Sequence, residues 1–364
     1  MPLRCMSIVM VFNRMLNEMK KKAAKKLSEL EKEETTINNF QLLSIDDLYK
    51  RKFSEDRWKI DSMVPHEGVT IISGAPGNYK TWIMLQMALS IAKGDLLFGQ
   101  FQSRKGGVLL IDEENHLRLL KERMQLLGAT DDLPIYFLSQ EGFLVTSEKM
   151  IEKVLQFCEE KELDVIFIDS LVRVNKAEEN DASQMAEVFR SITKLVKNNK
   201  TVVLSHHERK EGAYKSSAQT RLRGSSDIAA AVDSHISVRK DRNNDEKVII
   251  EDGKLRQSKQ REQFELQVES GNDYVKFNYL GVRDQEKEKR LIASEMIVQI
   301  LAGYPDGLSK QEIIRQVVDS EKAGEKSTRR AIADLIRSGN IIEGKGAGNT
   351  KMCRLKDQVK VTND

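Results

Sequence analysis

VTIISGAPGNYKT, residues 69–81, runs from a short apolar stretch into a glycine-rich turn and then a Lys–Thr pair, with helical spacing resuming at Trp82. A glycine-rich turn between a strand and a helix is a phosphate cradle, because its backbone N–H groups and the helix N-terminus both face an anion. Gly74, Ala75, Pro76, Gly77, Asn78 and Tyr79 make the turn, and Trp82 follows it on the helix. Lys80 is placed to reach the β- and γ-phosphates of a nucleoside triphosphate, and Thr81 to set its hydroxyl on Mg2+. One position departs from the usual pattern: Tyr79 stands where glycine ordinarily precedes the lysine. A β-carbon is tolerable there if the local φ is negative.

Outward from this loop, apolar runs alternate with segments of helical spacing. Gly107–Asp112 (GVLLID), Asp164–Ile168 (DVIFI) and Thr201–Ser205 (TVVLS) read as further buried strands. Trp82–Ala92, Leu117–Leu127, Ser147–Lys161 and Ala182–Lys197 read as the helices around them. Apolar runs separated by helices imply parallel strands covered on both faces. The fold class is therefore α/β with a mostly parallel sheet. Ser234–Val282 loses helical spacing and carries candidate strands in HISV, KVIIED, FELQVE and VKFNYL. A charged hinge, Arg283–Arg290, leads to a helix over Ile292–Leu301, a second over Lys310–Val318, and a third capped by Ser327 or Thr328 and ending at Gly339. A hairpin around Gly344, Gly346 and Gly348 follows, which completes a winged-helix pattern. The expected organisation is a charged helical arm over 1–38, a core over 39–283 and a small winged-helix domain over 290–358. The arm is either a solvated leader or a docking element for a neighbouring subunit.

Carboxylates end two of the strands. Asp169 closes DVIFID at the C-terminal edge of a parallel sheet, where ligands of open α/β sheets bind, and is a candidate Mg2+ residue beside Thr81. Asp112-Glu113-Glu114-Asn115 end another strand. Adjacent carboxylates repel unless a cation or a water engages one of them, and a glutamate here is a candidate to orient an attacking water as general base. His206 and His207 follow TVVLS, placed either to sense a γ-phosphate or to serve as ordinary loop histidines. Arg209, Lys210, Lys215, Arg221 and Arg223 make His207–Ser226 locally basic, which suits a phosphate backbone or a solvated loop. Arg239, Lys240 and Arg242 stand at the end of what reads as an edge strand, as candidate cations reaching into a neighbour's site.

Composition bounds the rest. With 364 residues, 40% of them hydrophobic, the chain can bury one large core and a smaller one. Lys and Arg number 59 against 56 Asp and Glu, a net of +3, so overall charge does not announce nucleic acid and any such partner must be met by a local patch. Cys5, Cys158 and Cys353 are far apart and form no metal-ligand spacing, which fits a reducing, cytoplasmic setting and no structural zinc. No stretch is long and apolar enough to span a membrane, and the start lacks the features of a secretory signal.

In this order, the loop Gly74–Thr81, the Asp112–Asn115 turn, Asp169, the histidine pair and the Arg223–Ser226 loop (RGSS) resemble the RecA-like hexameric ATPases, nearest the plasmid replicative helicases of the RepA type, over roughly Trp58 to Val282. The resemblance implies a RecA-like P-loop NTPase core that binds ATP and Mg2+ between the subunits of a homo-oligomeric ring, a hexamer in the family. Single-stranded DNA would pass through its centre. The resemblance puts the catalytic glutamate on Glu114, with Glu113 as second choice, and the Walker B aspartate on Asp169. It puts the phosphate-sensing histidine on His207 or His206, and the finger among Arg239, Lys240 and Arg242. In the winged-helix region, Ser327–Ser338 is the candidate recognition helix, with Arg329, Arg330 and Arg337 available to duplex DNA, or else the module docks a replication protein. The implied function is a DNA-dependent ATPase, a replicative ring helicase of a plasmid, phage or integrated element. The alternative is a RecA-like recombination or regulatory ATPase that acts as a nucleotide-gated DNA-binding assembly switch without unwinding.

Overall fold

Two short antiparallel pairs, Trp58–Ile60 (β1) with Val64–Pro65 (β2) and Leu96–Leu97 (β4) with Phe101–Gln102 (β5), stand outside the main sheet. Within it, Val69–Gly74 (β3), Gly107–Asp112 (β6), Leu163–Asp169 (β8) and Thr201–His207 (β9) lie side by side in parallel, as their apolar runs require. Ile135–Ser139 (β7) adds a parallel strand beyond β6, and Ser234–Lys240 (β10) adds one beside β3. Three antiparallel strands, Lys247–Leu255 (β11), Phe264–Ser270 (β12) and Val275–Val282 (β13), extend the sheet from β10, giving the order β13-β12-β11-β10-β3-β9-β8-β6-β7. This computed structural model describes residues 21–22, 43–52, 57–209, 217–224, 226–241, 244–320, 323–345 and 351–356. Most of the expected arm over 1–38, and Lys210, Lys215 and Arg242 among the candidate site residues, lie outside the described residues.

Period-two alternation along the parallel strands feeds two cores. Val108 and Leu110 of β6, Val165 and Phe167 of β8 and Val203 of β9 pack with Ile83, Met84, Met87 and Ile91 of the helix Lys80–Lys93 (α2). Leu109, Ile111, Ile166, Ile168, Val202 and Leu204 face the opposite way, against Ile151, Val154 and Cys158 of Glu148–Glu160 (α4) and Met185, Val188 and Ile192 of Ala182–Lys197 (α5). Burying both faces is what makes these strands read as unbroken apolar runs. Strands β12 and β13 bury one face and alternate buried with less buried positions, whereas β11 buries Val248, Ile249 and Ile250 in succession. Leu117–Leu126 (α3) follows β6, and two short helices, Ala218–Arg221 (α6) and Ser226–Ala231 (α7), precede β10. In the N-terminal unit, Ile45–Lys50 (α1) is a short helix closed by a capping box between Ser44 and Asp47.

After β13 the chain forms Gln285–Ala302 (α8), Lys310–Asp319 (α9) and Glu325–Arg337 (α10). With them goes a small antiparallel sheet, ordered Leu308–Ser309 (β14), Lys351–Leu355 (β16) and Ile341–Lys345 (β15). These share a separate core of Ala293, Ile297, Leu301, Ile313, Val317, Ala331, Leu335, Ile341 and Cys353. Several expectations need correction here. The sheet has three strands rather than the two of a hairpin, because Leu308–Ser309 pairs with Met352–Cys353. The third helix takes Gly324 as its N-cap, and Ser327 and Thr328 sit inside it, buried, with both hydroxyls donating to the Gly324 carbonyl. Strand β10 is no edge strand, since it pairs with β3 on one side and β11 on the other.

The supposed hinge at Arg283–Arg290 is mostly the first turns of α8. Its charges are spent locally: the Arg283 side chain is 11% exposed and reaches Asp241 at 3.1 Å, Glu265 at 3.3 Å and Glu288 at 3.0 Å. One guanidinium thereby ties the end of β10, strand β12 and α8 together. Removing one partner of a buried ion cluster leaves the others uncompensated. Arg283→Ala is expected to lower the unfolding free energy by about 3 kcal/mol, read from urea denaturation; a change lost in the noise of the baseline would show that the cluster does not hold the segment.

Candidate active site

All the parallel strands end on one edge of the sheet, so Gly74, Asp112, Asp169, His207 and Lys240 gather there from distant parts of the sequence. Strand β3 is fully buried up to Gly74, where a β-carbon would stand 2.4 Å from the Val238 carbonyl oxygen of β10. Only glycine lets the two strands close at this point. Gly77 takes φ +79° to turn the chain back toward α2.

Tyr79 is the N-cap of α2 and adopts φ 61°, ψ 12°, the left-handed conformation. The condition under which a β-carbon would be tolerable here, a negative φ, is not met. The turn imposes the conformation that glycine ordinarily supplies, and a non-glycine residue held there costs about 1–3 kcal/mol. The ring offsets part of that cost. It meets Phe277 of β13 edge-on at 5.8 Å, and the Lys240 ammonium lies 4.9 Å from its centroid, contacts worth about 1 kcal/mol each. The Lys80 ammonium folds over the loop and donates to the carbonyls of Gly74 at 2.9 Å and Ala75 at 3.1 Å. Burial lowers its pKa, against the opposing pull of Asp169, Glu114 and Glu208. Trp82 is half-buried behind the loop, with the Arg123 guanidinium 5.3 Å from its ring centroid.

Thr81 and Asp169, the two candidate Mg2+ residues, are in direct contact: the Thr81 hydroxyl donates to Asp169 Oδ2 at 2.7 Å. Ser205 of β9 donates to the other oxygen. Burial raises the Asp169 pKa, and these two hydroxyl donors oppose the rise.

The three consecutive carboxylates after β6 do not share a partner. Asp112 accepts from the backbone N–H of Glu114 at 2.9 Å and of Asn115 at 2.7 Å, which curls the turn. Its own pKa is raised to about 6 by burial and by the Asp169 charge beside it. Glu113 accepts from the backbone N–H groups of Phe143 at 2.8 Å and Gly142 at 3.2 Å. This corrects its standing as second choice for the base, because its carboxylate is occupied holding the loop after β7. Glu114 points into the cluster: the Ser170 hydroxyl donates to it at 2.5 Å and the His207 imidazole stands 3.8 Å away. His207 first, then Ser170, hold its carboxyl down to about 2.

The histidine pair divides in the same way. His207 faces Glu114, whereas His206 is fully buried, with Nε2 hydrogen-bonded to the Arg223 carbonyl at 2.9 Å. Of the two residues that were open for the sensing role, His207 stands beside Glu114, whereas His206 faces Glu179 at 4.0 Å. Among the basic residues, Arg221 must be withdrawn from the nucleic-acid group. It is 5% exposed, and its guanidinium is paired with Glu208 at 3.4 Å and Glu251 at 2.6 Å. Arg209 is exposed and donates to the Gly224 carbonyl at 2.8 Å. Arg223 is largely exposed and pairs with Glu179 at 2.8 Å. Together with Asn180, Glu208 and Gly224, these two arginines line a cleft. Arg239 approaches Glu251 at 3.6 Å, and Lys240 covers Tyr79 of its own chain. On α10, Arg329 pairs with Glu325 at 2.6 Å and Arg330 with Glu286 at 3.1 Å.

The sequence reading missed Ser170 and Ser205, the hydroxyls that hold Glu114 and Asp169. Ser205 was visible as the polar end of an apolar strand; Ser170 had no signal beyond its place after Asp169.

A mostly parallel sheet with a phosphate-cradling loop at the central strand, and a hydroxyl–carboxylate pair beside it, defines a RecA-like P-loop ATPase domain. A family model described as an AAA domain matches residues 32–213, half of the chain, and the chain belongs to that family. A search of the curated proteins finds no match. Among solved structures, the ATPase domain of a helicase superposes with a TM-score of 0.51 at 16% identity, covering 66% of this chain and 100% of that one. At that identity the likeness speaks for the fold. No helix among the described residues is long and apolar enough to cross a membrane.

The strain at Tyr79 is open to measurement. Tyr79→Gly relieves the backbone and loses the ring contacts, so its stability is expected within about 1 kcal/mol of the parent. Tyr79→Ala keeps the strain and loses the ring, and should fall below the glycine variant by about 1 kcal/mol or more in thermal or urea unfolding. Alanine equal to or better than glycine would show that the left-handed backbone carries no cost.

Proposed function

We propose that this chain is a DNA-dependent ATPase of the ring-forming helicase kind, which translocates on single-stranded DNA in the replication of a plasmid, phage or integrated element. The observation that carries the catalytic part is the convergence of Lys80, Thr81, Asp169, Glu114 and His207 on one sheet edge. In this reading Gly74–Trp82 receives the triphosphate of ATP, with Lys80 leaving its carbonyl contacts for the β- and γ-phosphates. Thr81 and Asp169 suit Mg2+, being a hydroxyl and a buried carboxylate already in contact. When bound, the ion would neutralise charge on the phosphate oxygens.

Glu114 orients the attacking water. A carboxyl held down to about 2 stays ionised at all ordinary pH, and is a weak base. Its role is therefore to fix the water and take the proton late, as the new P–O bond forms. His207, 3.8 Å from Glu114, is placed to register whether the γ-phosphate is present. Arg209 and Arg223, with Lys210 and Lys215 beyond the described residues, supply cations for a strand of phosphates. A finger cation from Arg239 or Arg242 would complete a neighbour's site in a homohexameric ring. The C-terminal module is proposed as a winged helix that meets duplex DNA or a replication protein. Arg329 and Arg330 lie exposed on α10, in surface pairs that a phosphate can displace.

The test is steady-state ATP hydrolysis with and without single-stranded DNA. Turnover should be stimulated by DNA and lost in Lys80→Ala, and Glu114→Gln should lower it by about 100-fold or more while leaving ATP binding in place. Hydrolysis indifferent to DNA, or surviving Glu114→Gln, would move the reading to the nucleotide-gated assembly switch.

A further inference from the structure

Glu208 stands one residue past β9 and has no part in the roles proposed above, yet its carboxylate is engaged on both oxygens beside the phosphate loop. Its Oε1 accepts from the Ser73 hydroxyl at 2.8 Å and from the Ser237 hydroxyl at 2.6 Å, and its Oε2 faces Arg221 Nε at 3.4 Å. Ser73 and Ser237 are both fully buried. The direction of every bond in this cluster is fixed. A carboxylate paired with arginine only accepts, so Ser73 and Ser237 both donate to it. Ser237 then accepts from Arg221 Nη2 at 2.9 Å. Ser73 accepts from His235 Nε2 at 2.7 Å, which makes His235 the Nε2–H tautomer. The bare Nδ1 lies against Gly253, where a β-carbon would come within 2.1 Å of it.

Glu208 touches two regions of the molecule at once. On one side is Ser73, bonded covalently to Gly74 and so to the phosphate cradle. On the other is Arg221, which sits in the neck of the basic loop. Arg209 N–H donates to the Arg221 carbonyl at 2.8 Å, and Arg223 N–H to the His207 carbonyl at 3.2 Å. Between them Glu208 itself bridges to Leu222 and lines the cleft with Arg209 and Arg223. Hydrogen-bond networks that reach from one site to another are one route by which coupling is carried.

We propose that Glu208 is a positioning residue that couples occupancy of the Arg209–Arg223 cleft by a nucleic-acid phosphate backbone to the setting of the phosphate loop, acting through Ser73. This rests on the reading that the chain binds nucleic acid and hydrolyses ATP.

The experiment compares Ser73→Ala with Ser237→Ala in the full chain. Both remove a buried hydroxyl donor to the same oxygen of Glu208, but only Ser73 is bonded directly to Gly74 of the cradle. The readouts are the ratio of ATP turnover with a saturating oligo-dT strand to turnover without it, and the affinity for a labelled oligo-dT by fluorescence anisotropy. Ser73→Ala should lower the ratio by about fivefold or more with little change in affinity, while Ser237→Ala leaves the ratio within about twofold. Ser73→Thr, which keeps the hydroxyl, should restore it. An unchanged ratio in Ser73→Ala, or equal loss in both alanine variants, overturns the proposal, the second outcome marking Glu208 as packing support alone. A parent chain that shows no stimulation at all would remove the underlying reading, and the coupling with it.

Discussion

A carboxylate buried at the end of a central strand has to find donors inside the protein, and at Asp169 that requirement organises the whole edge of the sheet. Its oxygens are met by Thr81 from the first turn of α2 and by Ser205 from β9. Leaving an ionised carboxylate unpaired in that position would cost far more than either hydrogen bond contributes. The two hydroxyls therefore fix where α2 begins relative to β8 and β9, and so where the phosphate cradle opens. Glu114 is then held from β8's continuation, through Ser170. The geometry of the acidic cluster is thus tied to satisfying one buried group.

Strand β10 and the antiparallel strands beyond it contribute to the same loop from the other side. Phe277 and Lys240 pack on the Tyr79 ring, and the Val238 carbonyl excludes any side chain at position 74. A loop that demands a left-handed residue is usually served by glycine. Here it is served by a tyrosine whose ring is anchored to strands more than 150 residues away in the chain. The strained backbone and the sheet extension are one feature, because without β10 and β13 nothing would offset the cost at Tyr79.

Much of this was legible in sequence, and the limits have physical reasons. Buried parallel strands announce themselves as apolar runs, so β3, β6, β8 and β9 could be located, and with them the strand ends where Asp169 and Glu114 stand. Ile135–Ser139 was missed because an outer strand with only partly buried residues gives a weaker signal. The resemblance ranked Glu114 before Glu113 without a geometric reason, and it left His206 and His207 open. Each pair consists of neighbours pointing in different directions, and the deciding partners, Phe143, Ser170 and Arg223, are remote or unmarked. The misreading at Arg283–Arg290 has the same origin. A run of charges looks solvated until Asp241 and Glu265 are seen to be waiting for one of them.

The same reasoning sorts the basic residues between His207 and Ser226, which sequence counts as equals. Arg221 is buried against Glu208 and Glu251, and pulling it out would strand two carboxylates at a cost of about 3–5 kcal/mol. No single phosphate contact returns that much, so Arg221 is committed to the interior. Arg223 is 58% exposed, and its pair with Glu179 belongs to the class of surface bridges worth about 1 kcal/mol or less. A phosphate can replace Glu179 at little cost. Among the described residues, the exposed Arg209 side chain has the Gly224 carbonyl contact to give up. A near-neutral chain can thus set two exposed arginines beside one cleft, because burial withdraws Arg221 as a strut and leaves its two neighbours, on the same neck, in contacts weak enough to exchange.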